Sequence, residues 1–206
     1  MPPRPPHPST DTPGTRTMTR FTLGLTLLSA ASPALLLRAD DPCRSGVPVG
    51  KRPGPYSFLV ATGPQRGQQT CYICEQHEGN KPAAVVFART LSDPLARLLS
   101  RLEALGTSPA ARGTGYKVWC TVLVDTADLD ALARWAQTQG LKTVPLGAYE
   151  DTDGPPAYKL HKDADVTVLL FTKQKVVANF AFRAGELTDQ QIDAVLQAAP
   201  LLFPKK

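Results

Sequence analysis

Residues 116–124 read Tyr-Lys-Val-Trp-Cys-Thr-Val-Leu-Val, a stretch dominated by β-branched and aromatic side chains. In an extended chain, successive side chains point to opposite faces. Tyr116, Val118, Cys120, Val122 and Val124 share one face; Trp119, Thr121 and Leu123 share the other. Apolar side chains on both faces need cover on both. The segment is therefore predicted as a central strand of a sheet with layers packed above and below it. Residues 83–88, Ala-Ala-Val-Val-Phe-Ala, form a second continuous apolar run and are predicted as another buried strand.

Helices are predicted around these strands. Ser92 is a candidate N-cap with Pro94 in the first turn, and Leu95, Leu98, Leu99, Leu102 and Leu105 recur on one helical face before Gly106. A second helix is expected from about Asp125 or Thr126, with Leu129, Leu132 and Ala136 as its buried stripe and Gly140 as its stop. Thr188 and Gln191 have capping-box spacing. Leu187 and Ile192 can form the accompanying staple, and Val195, Leu196 and Ala199 continue the apolar face. Residues 56–61 read as an edge strand or half a hairpin, with a turn at 63–67. Residues 143–146 read as a short strand, and 166–172 with 175–182 as a hairpin. Strands alternating with helices imply parallel pairing, and the terminal hairpin adds antiparallel strands. The expected fold is α/β, a three-layer sandwich with a central mixed sheet flanked by helices.

The amino-terminal part is different in kind. Arg20 precedes residues 21–37, which are almost wholly apolar and uncharged. The run is short for a membrane span and interrupted by Ser and Pro. A basic end, an apolar middle and small residues match a secretory signal, with Ala31, Ala34 or Ala39 as cleavage positions. An uncleaved anchor helix is the alternative. Residues 1–17 are Pro-rich and polar, and Met18 is a candidate start. The expected organisation is a leader and signal peptide over 1–39, a Pro/Gly-rich linker and lead-in over 40–55, and a globular domain over 56–203. A periplasmic or secreted location follows, with no stable membrane span after cleavage. Asp-Asp-Pro before Cys43 is unlike a lipidation signal.

Charge narrows the choice of partners. The chain carries 23 basic and 18 acidic residues, but four basic residues and one acidic residue precede Asp40. The remaining 19 and 17 leave a net charge near +2. No basic run with interleaved aromatics occurs, so a nucleic-acid partner is not expected.

The resemblance to a known family rests on several segments. Val-Gly-Lys-Arg-Pro-Gly-Pro-Tyr (49–56) resembles the lead-in of peroxiredoxin-like domains. Residues 144–154, followed by Ala157-Tyr158-Lys159-Leu160, resemble the loop before their last hairpin, and residues 166–171 resemble the penultimate thioredoxin strand. Over about residues 46–202 the chain resembles the thioredoxin-like superfamily, most closely its peroxiredoxin-like branch. That implies a thioredoxin-like sandwich and redox chemistry at cysteine. Two departures stand out. The reactive cysteine of the superfamily usually follows the strand matching 83–88, where this chain has Arg89-Thr90-Leu91-Ser92-Asp93-Pro94. The usual cis-proline position falls near Val166, within Asp165-Val166-Thr167. A cis bond at a residue other than proline costs about 2.5–4 kcal/mol.

Four cysteines remain to be placed. Cys71-Tyr72-Ile73-Cys74 is a Cys-X-X-Cys pair. In an exported chain it reads as a redox pair in which the Cys71 thiolate attacks and Cys74 resolves. Thr70 is expected to cap a short helical turn, and His77 to add positive character. A structural disulfide, within the pair or to Cys43, is the second reading. A metal site using Cys71, Cys74 and His77 is the third, without a visible fourth ligand. Haem attachment would need His where Glu75 stands. Cys120 reads as an inert core thiol, with a disulfide to Cys43 as its alternative. Glu150, Asp151 and Asp153 read as a solvated acidic turn, with cation binding as the functional alternative. His161 beside Lys162 reads as surface, and Trp119 and Trp135 as packing. The expected function is thiol–disulfide exchange through Cys71 and Cys74 on protein or small-molecule thiols, with no cofactor beyond an electron source. The alternative is a non-catalytic binding or scaffold module with structural disulfides. A peroxidase is a third possibility, in which Cys71 would do work done elsewhere in the fold.

Overall fold

The computed structural model describes residues 41–204. The expected signal, from Arg20 through residues 21–37 to Ala39, and the candidate start at Met18 lie outside the described residues. Among the described residues, no helix is long and apolar enough to cross a membrane.

In chain order the elements are β1 (Phe58–Val60), β2 (Gln69–Thr70), α1 (Tyr72–Glu78), β3 (Ala83–Ala88), α2 (Asp93–Leu105), β4 (Lys117–Leu123), α3 (Leu129–Thr138), β5 (Leu146–Tyr149), β6 (Val166–Thr172), β7 (Lys175–Phe182) and α4 (Asp189–Ala198). Short 3-10 turns occupy Pro156–Tyr158 and Ala199–Leu202. The strands form one seven-stranded sheet in the order β2-β1-β5-β4-β3-β6-β7. β3, β4 and β5 are parallel to one another, while β6 is antiparallel to β3.

The two-faced pattern of β4 appears in three dimensions. Val118, Cys120 and Val122 join Ala84, Val86 and Ala88 of β3 in one apolar cluster, covered by Leu95, Leu98, Leu99 and Leu102 of α2, Leu132 of α3 and Ile192 of α4. Trp119 and Leu123 join Val85, Phe87, Leu169 and Phe171 in a second cluster on the opposite face, under Tyr72 and Ile73 of α1 and Tyr158. Three layers result, with the mixed sheet in the middle. This is the expected α/β sandwich.

Local chemistry sets the helix boundaries. Ser92 Oγ accepts from the Leu95 N–H at 3.4 Å, and Thr188 Oγ1 from the Gln191 N–H at 3.4 Å, as their spacings predict. α3 starts later than expected, at Leu129. Asp128 is its cap and accepts from the Ala131 N–H at 2.8 Å, while the Ala127 N–H is taken by Glu150 Oε1 at 3.1 Å. A carboxylate cap decides the first turn more firmly than the apolar period does. The strand expected at 143–146 lies instead at Leu146–Tyr149. Pro145 has no N–H for the ladder, so pairing with β4 begins at Leu146.

Of residues 56–61, expected as an edge strand or half a hairpin, Phe58–Val60 form half of a hairpin. β1 lies between β5 and the two-residue β2, which is the edge strand. The β6–β7 turn is made by Lys173 and Gln174, both left-handed at φ 49° and 62°. Two left-handed residues give a turn whose twist matches the strands it joins. Residues 45–51 run along β7. Asn179 Nδ2 donates to the carbonyls of Ser45 and Val47 at 2.9 Å, and Val176 exchanges backbone bonds with Gly50 and Lys51.

Candidate functional site

The chain leaves β2 at Thr70 and enters α1 at once. Cys71, rather than Thr70, is the N-cap, and its Sγ accepts from the Cys74 N–H at 3.3 Å. Tyr72, Ile73, Gln76 and His77 face inward. Tyr72 packs edge-on against Phe58 and Trp119 at 5.5 and 5.6 Å, and its hydroxyl donates to Gln65 Oε1 at 2.7 Å. Lys117 Nζ lies 4.1 Å from the Tyr72 ring centroid and 2.7 Å from Glu75 Oε2. Burial, and then the Glu75 charge, push the Tyr72 hydroxyl up to about 12. A seven-residue helix is thus held down by one aromatic anchor, one ion pair and its own cap.

Cys71 and Cys74 form a disulfide with Cα atoms 5.4 Å apart. Cys71 is half-buried and packs against the second apolar cluster, whereas Cys74 is exposed. Cys74 lies on the wall of a cleft of about 700 Å³, together with Arg52, Pro53, Pro55, His77 and Gln174. With both sulfurs in a disulfide, neither is a thiolate ligand for a metal.

His77 does not supply the positive character expected of it. It is 8% exposed, sits edge-on to Phe171 at 5.7 Å, and its Nδ1 is 3.4 Å from an Arg52 guanidinium nitrogen. Burial first, and Arg52 second, lower its pKa and favour the neutral ring. Arg52 is the cation on the wall of the same cleft instead. Nε2 of His77 is buried without a hydrogen-bond partner among the described residues, as is Oε1 of Gln76. The far end of α1 is braced by Gln174, whose Nε2 donates to the His77 carbonyl at 3.3 Å and to Asn80 Oδ1 at 3.0 Å. Arg52 and Gln174 were not singled out in the sequence. They lie 25 and 97 residues from His77, and no spacing rule connects them to it.

The other residues fall elsewhere. Cys43 and Cys120 are free thiols, so neither bridges the other or the pair. Cys120 is buried in the α2-side cluster, and desolvation raises its pKa far above the ordinary thiol value. Burial also raises that of Cys43, against the opposing effect of Arg183. Glu150 binds the Ala127 N–H, and Asp151 Oδ1 accepts from the Asp153 N–H at 2.8 Å, so these acids serve the backbone of a turn. His161 is on the surface. Trp119 is fully buried and donates to Tyr56 Oη at 2.8 Å, and Trp135 packs half-buried against the core.

The end of β3, where the resemblance places a cysteine, is occupied by Arg89. Its Nε donates to the Ala164 carbonyl at 2.9 Å, and its guanidinium nitrogens to the carbonyls of Thr152 and His161. Its backbone N–H donates to the Asp165 carbonyl at 2.9 Å. Val166 opens β6 opposite Ala88 and Phe182.

No protein-family model and no curated protein matches the sequence. Solved structures do match the fold. One is a candidate protein disulfide isomerase from Bacteroides thetaiotaomicron, 16% identical, covering 79% of this chain and 96% of that one with a TM-score of 0.57. Another is a candidate thiol:disulfide interchange protein DsbE from Chlorobium tepidum, 12% identical, covering 77% and 99% with a TM-score of 0.56. At these identities the likeness is one of fold. The chain has a thioredoxin-like fold, with its Cys-X-X-Cys pair on the helix before β3 instead of the helix after it.

Proposed function

We propose that this chain is an exported thiol–disulfide exchange protein working through Cys71 and Cys74, with protein or small-molecule thiols and disulfides as substrates. The observation that carries the reading is a disulfide one of whose cysteines, Cys74, is exposed on the wall of a cleft. Its value as a staple is small. By loop-closure entropy, the four-residue loop of this pair is worth about 2 kcal/mol, whereas a bridge from Cys43 to Cys120 would be worth about 4.5 kcal/mol. The cysteines spaced for the stronger staple are the free ones. The disulfide chemistry named for both structural neighbours supports the same reading. Arg20 and the apolar run 21–37 support export to the periplasm or beyond, where such a pair meets oxidised substrates. The chemistry needs no cofactor beyond an electron source.

The second reading is a non-catalytic binding or scaffold module. The Arg89 clamp at the end of β3 favours it, because the usual reactive position is filled by arginine and backbone carbonyls. A glutathione-buffered redox titration with mass-spectrometric mapping separates the two. Exchange predicts a 71–74 disulfide between about −120 and −270 mV; a value below about −300 mV supports the module.

A further inference from the structure

We infer that Cys74, not Cys71, is the sulfur that bonds to substrate, and that substrate reaches it through the Arg52–Gln174 cleft. The inference rests on the exchange reading above. It reverses the order that the sequence suggests, in which Cys71 attacks and Cys74 resolves.

Thiolate attack on a disulfide runs along the S–S axis, from beyond the sulfur attacked, so access decides which sulfur reacts. Cys74 is exposed and forms part of the cleft wall. Cys71 is half-buried, packed against the cluster that holds Phe58, Tyr72 and Trp119. Its Sγ already accepts the Cys74 N–H at 3.3 Å, a bond that strengthens when the sulfur becomes an anion. Cys71 is thus suited to leave as a thiolate and Cys74 to receive the substrate. Arg52, anchored on His77, brings positive charge to the approach of an anionic sulfur, with Glu78 on the same cleft opposing it.

The step balances as follows. A substrate thiolate attacks Cys74 Sγ; a substrate–Cys74 bond forms, the Cys71–Cys74 bond breaks, and the electron pair stays on Cys71. A second substrate thiolate then attacks the substrate sulfur, forms the substrate disulfide and releases the Cys74 thiolate. Two thiols are oxidised, one protein disulfide is reduced, and the two protons of the substrate thiols end on the protein thiols or in solvent. Reduction of a substrate disulfide is the reverse: the Cys74 thiolate attacks first and Cys71 resolves.

The test uses the full chain with Cys43→Ser, which removes the other partly accessible thiol. Serine at position 71 remains a good N-cap, so Cys71→Ser should fold. The probe is glutathione disulfide. The expected result is that Cys71→Ser forms the glutathione mixed disulfide at least about tenfold faster than Cys74→Ser does. A trapping ratio at or below one overturns the order. Dithiothreitol-driven insulin reduction by the unsubstituted pair reads the parent proposal separately. Its absence with the trapping ratio intact overturns exchange as the function, while the open sulfur stays assigned to Cys74.

Discussion

At the end of β3 the chain turns into α2 through Arg89; at the end of β2 it turns into α1 through Cys71. The strand registers bring both strand ends, Thr70 and Ala88, to the same end of the sheet, whereas α1 runs back toward Lys117 at the start of β4 and Gln174 in the β6–β7 turn, at the other end. Thr70 lies opposite Phe58, next to Leu59, and Leu59 is linked through Ala148 and Val122 to Ala88. The β3 junction is sealed, because Arg89 gathers carbonyls from Thr152, His161 and Ala164 and so ties three parts of the chain together. The β2 junction is open and carries the cysteines on a short helix with an exposed outer side. The contrast shows how a fold can keep its sheet while its chemistry sits on a strand–helix connection other than the one after β3. Sealing needs donors matched to carbonyls; exchange needs a sulfur left within reach.

The comparison breaks most visibly at Arg89. Arg89→Ala strands several carbonyls and should destabilise the protein by about 3 kcal/mol in urea unfolding, with the potential of the 71–74 pair unchanged. A shifted potential without destabilisation would mean that the two junctions are coupled. Reducing the pair should have the next largest effect. The reduced protein should be less stable than the oxidised one by about 2 kcal/mol, and a much larger loss would make the disulfide a staple after all.

Acid should act through His77. Its folded pKa is depressed, so the unfolded chain binds the proton more readily. The stability due to the neutral ring is complete above the unfolded value of about 6.5 and declines below it, by at most about 1.4 kcal/mol per pH unit for one proton. His77→Gln should flatten unfolding free energy between about pH 6.5 and 5, and an unaltered slope would clear His77 of this role. The smallest effect belongs to Gln174→Ala. It removes two hydrogen bonds at the end of α1 and should cost about 1 kcal/mol, seen as faster amide exchange at Asn80 and Lys81, whose N–H groups bond to His77 and Gln76.

Much of the fold was legible because it is written in local periods. The double-faced β4, the leucine stripe of α2 and the Thr188 cap of α4 are statements about neighbours a few residues apart, and burial followed them. Boundaries moved where a single side chain outweighed the period, as Asp128 and Pro145 did. The cysteine pair was legible as a motif, but its inner and outer members were not. Exposure of Cys74 depends on how α1 lies on the sheet, and that depends on Tyr72 meeting Phe58 and Trp119. His77 looked like a cation by residue type and is favoured neutral by burial against Phe171 and Arg52.

By itself, then, the sequence determined a two-sided α/β sheet, the caps of α2 and α4, and a Cys-X-X-Cys pair displaced from the end of β3. Only the tertiary structure decided which cysteine is exposed, that Arg52 and not His77 brings charge to its cleft, and that Arg89 closes the other junction. The physical reason is range. Propensity, capping and alternation act between residues close in the chain, whereas access and electrostatics are set by residues such as Arg52, Trp119 and Gln174, brought together only when the sheet closes over its second core.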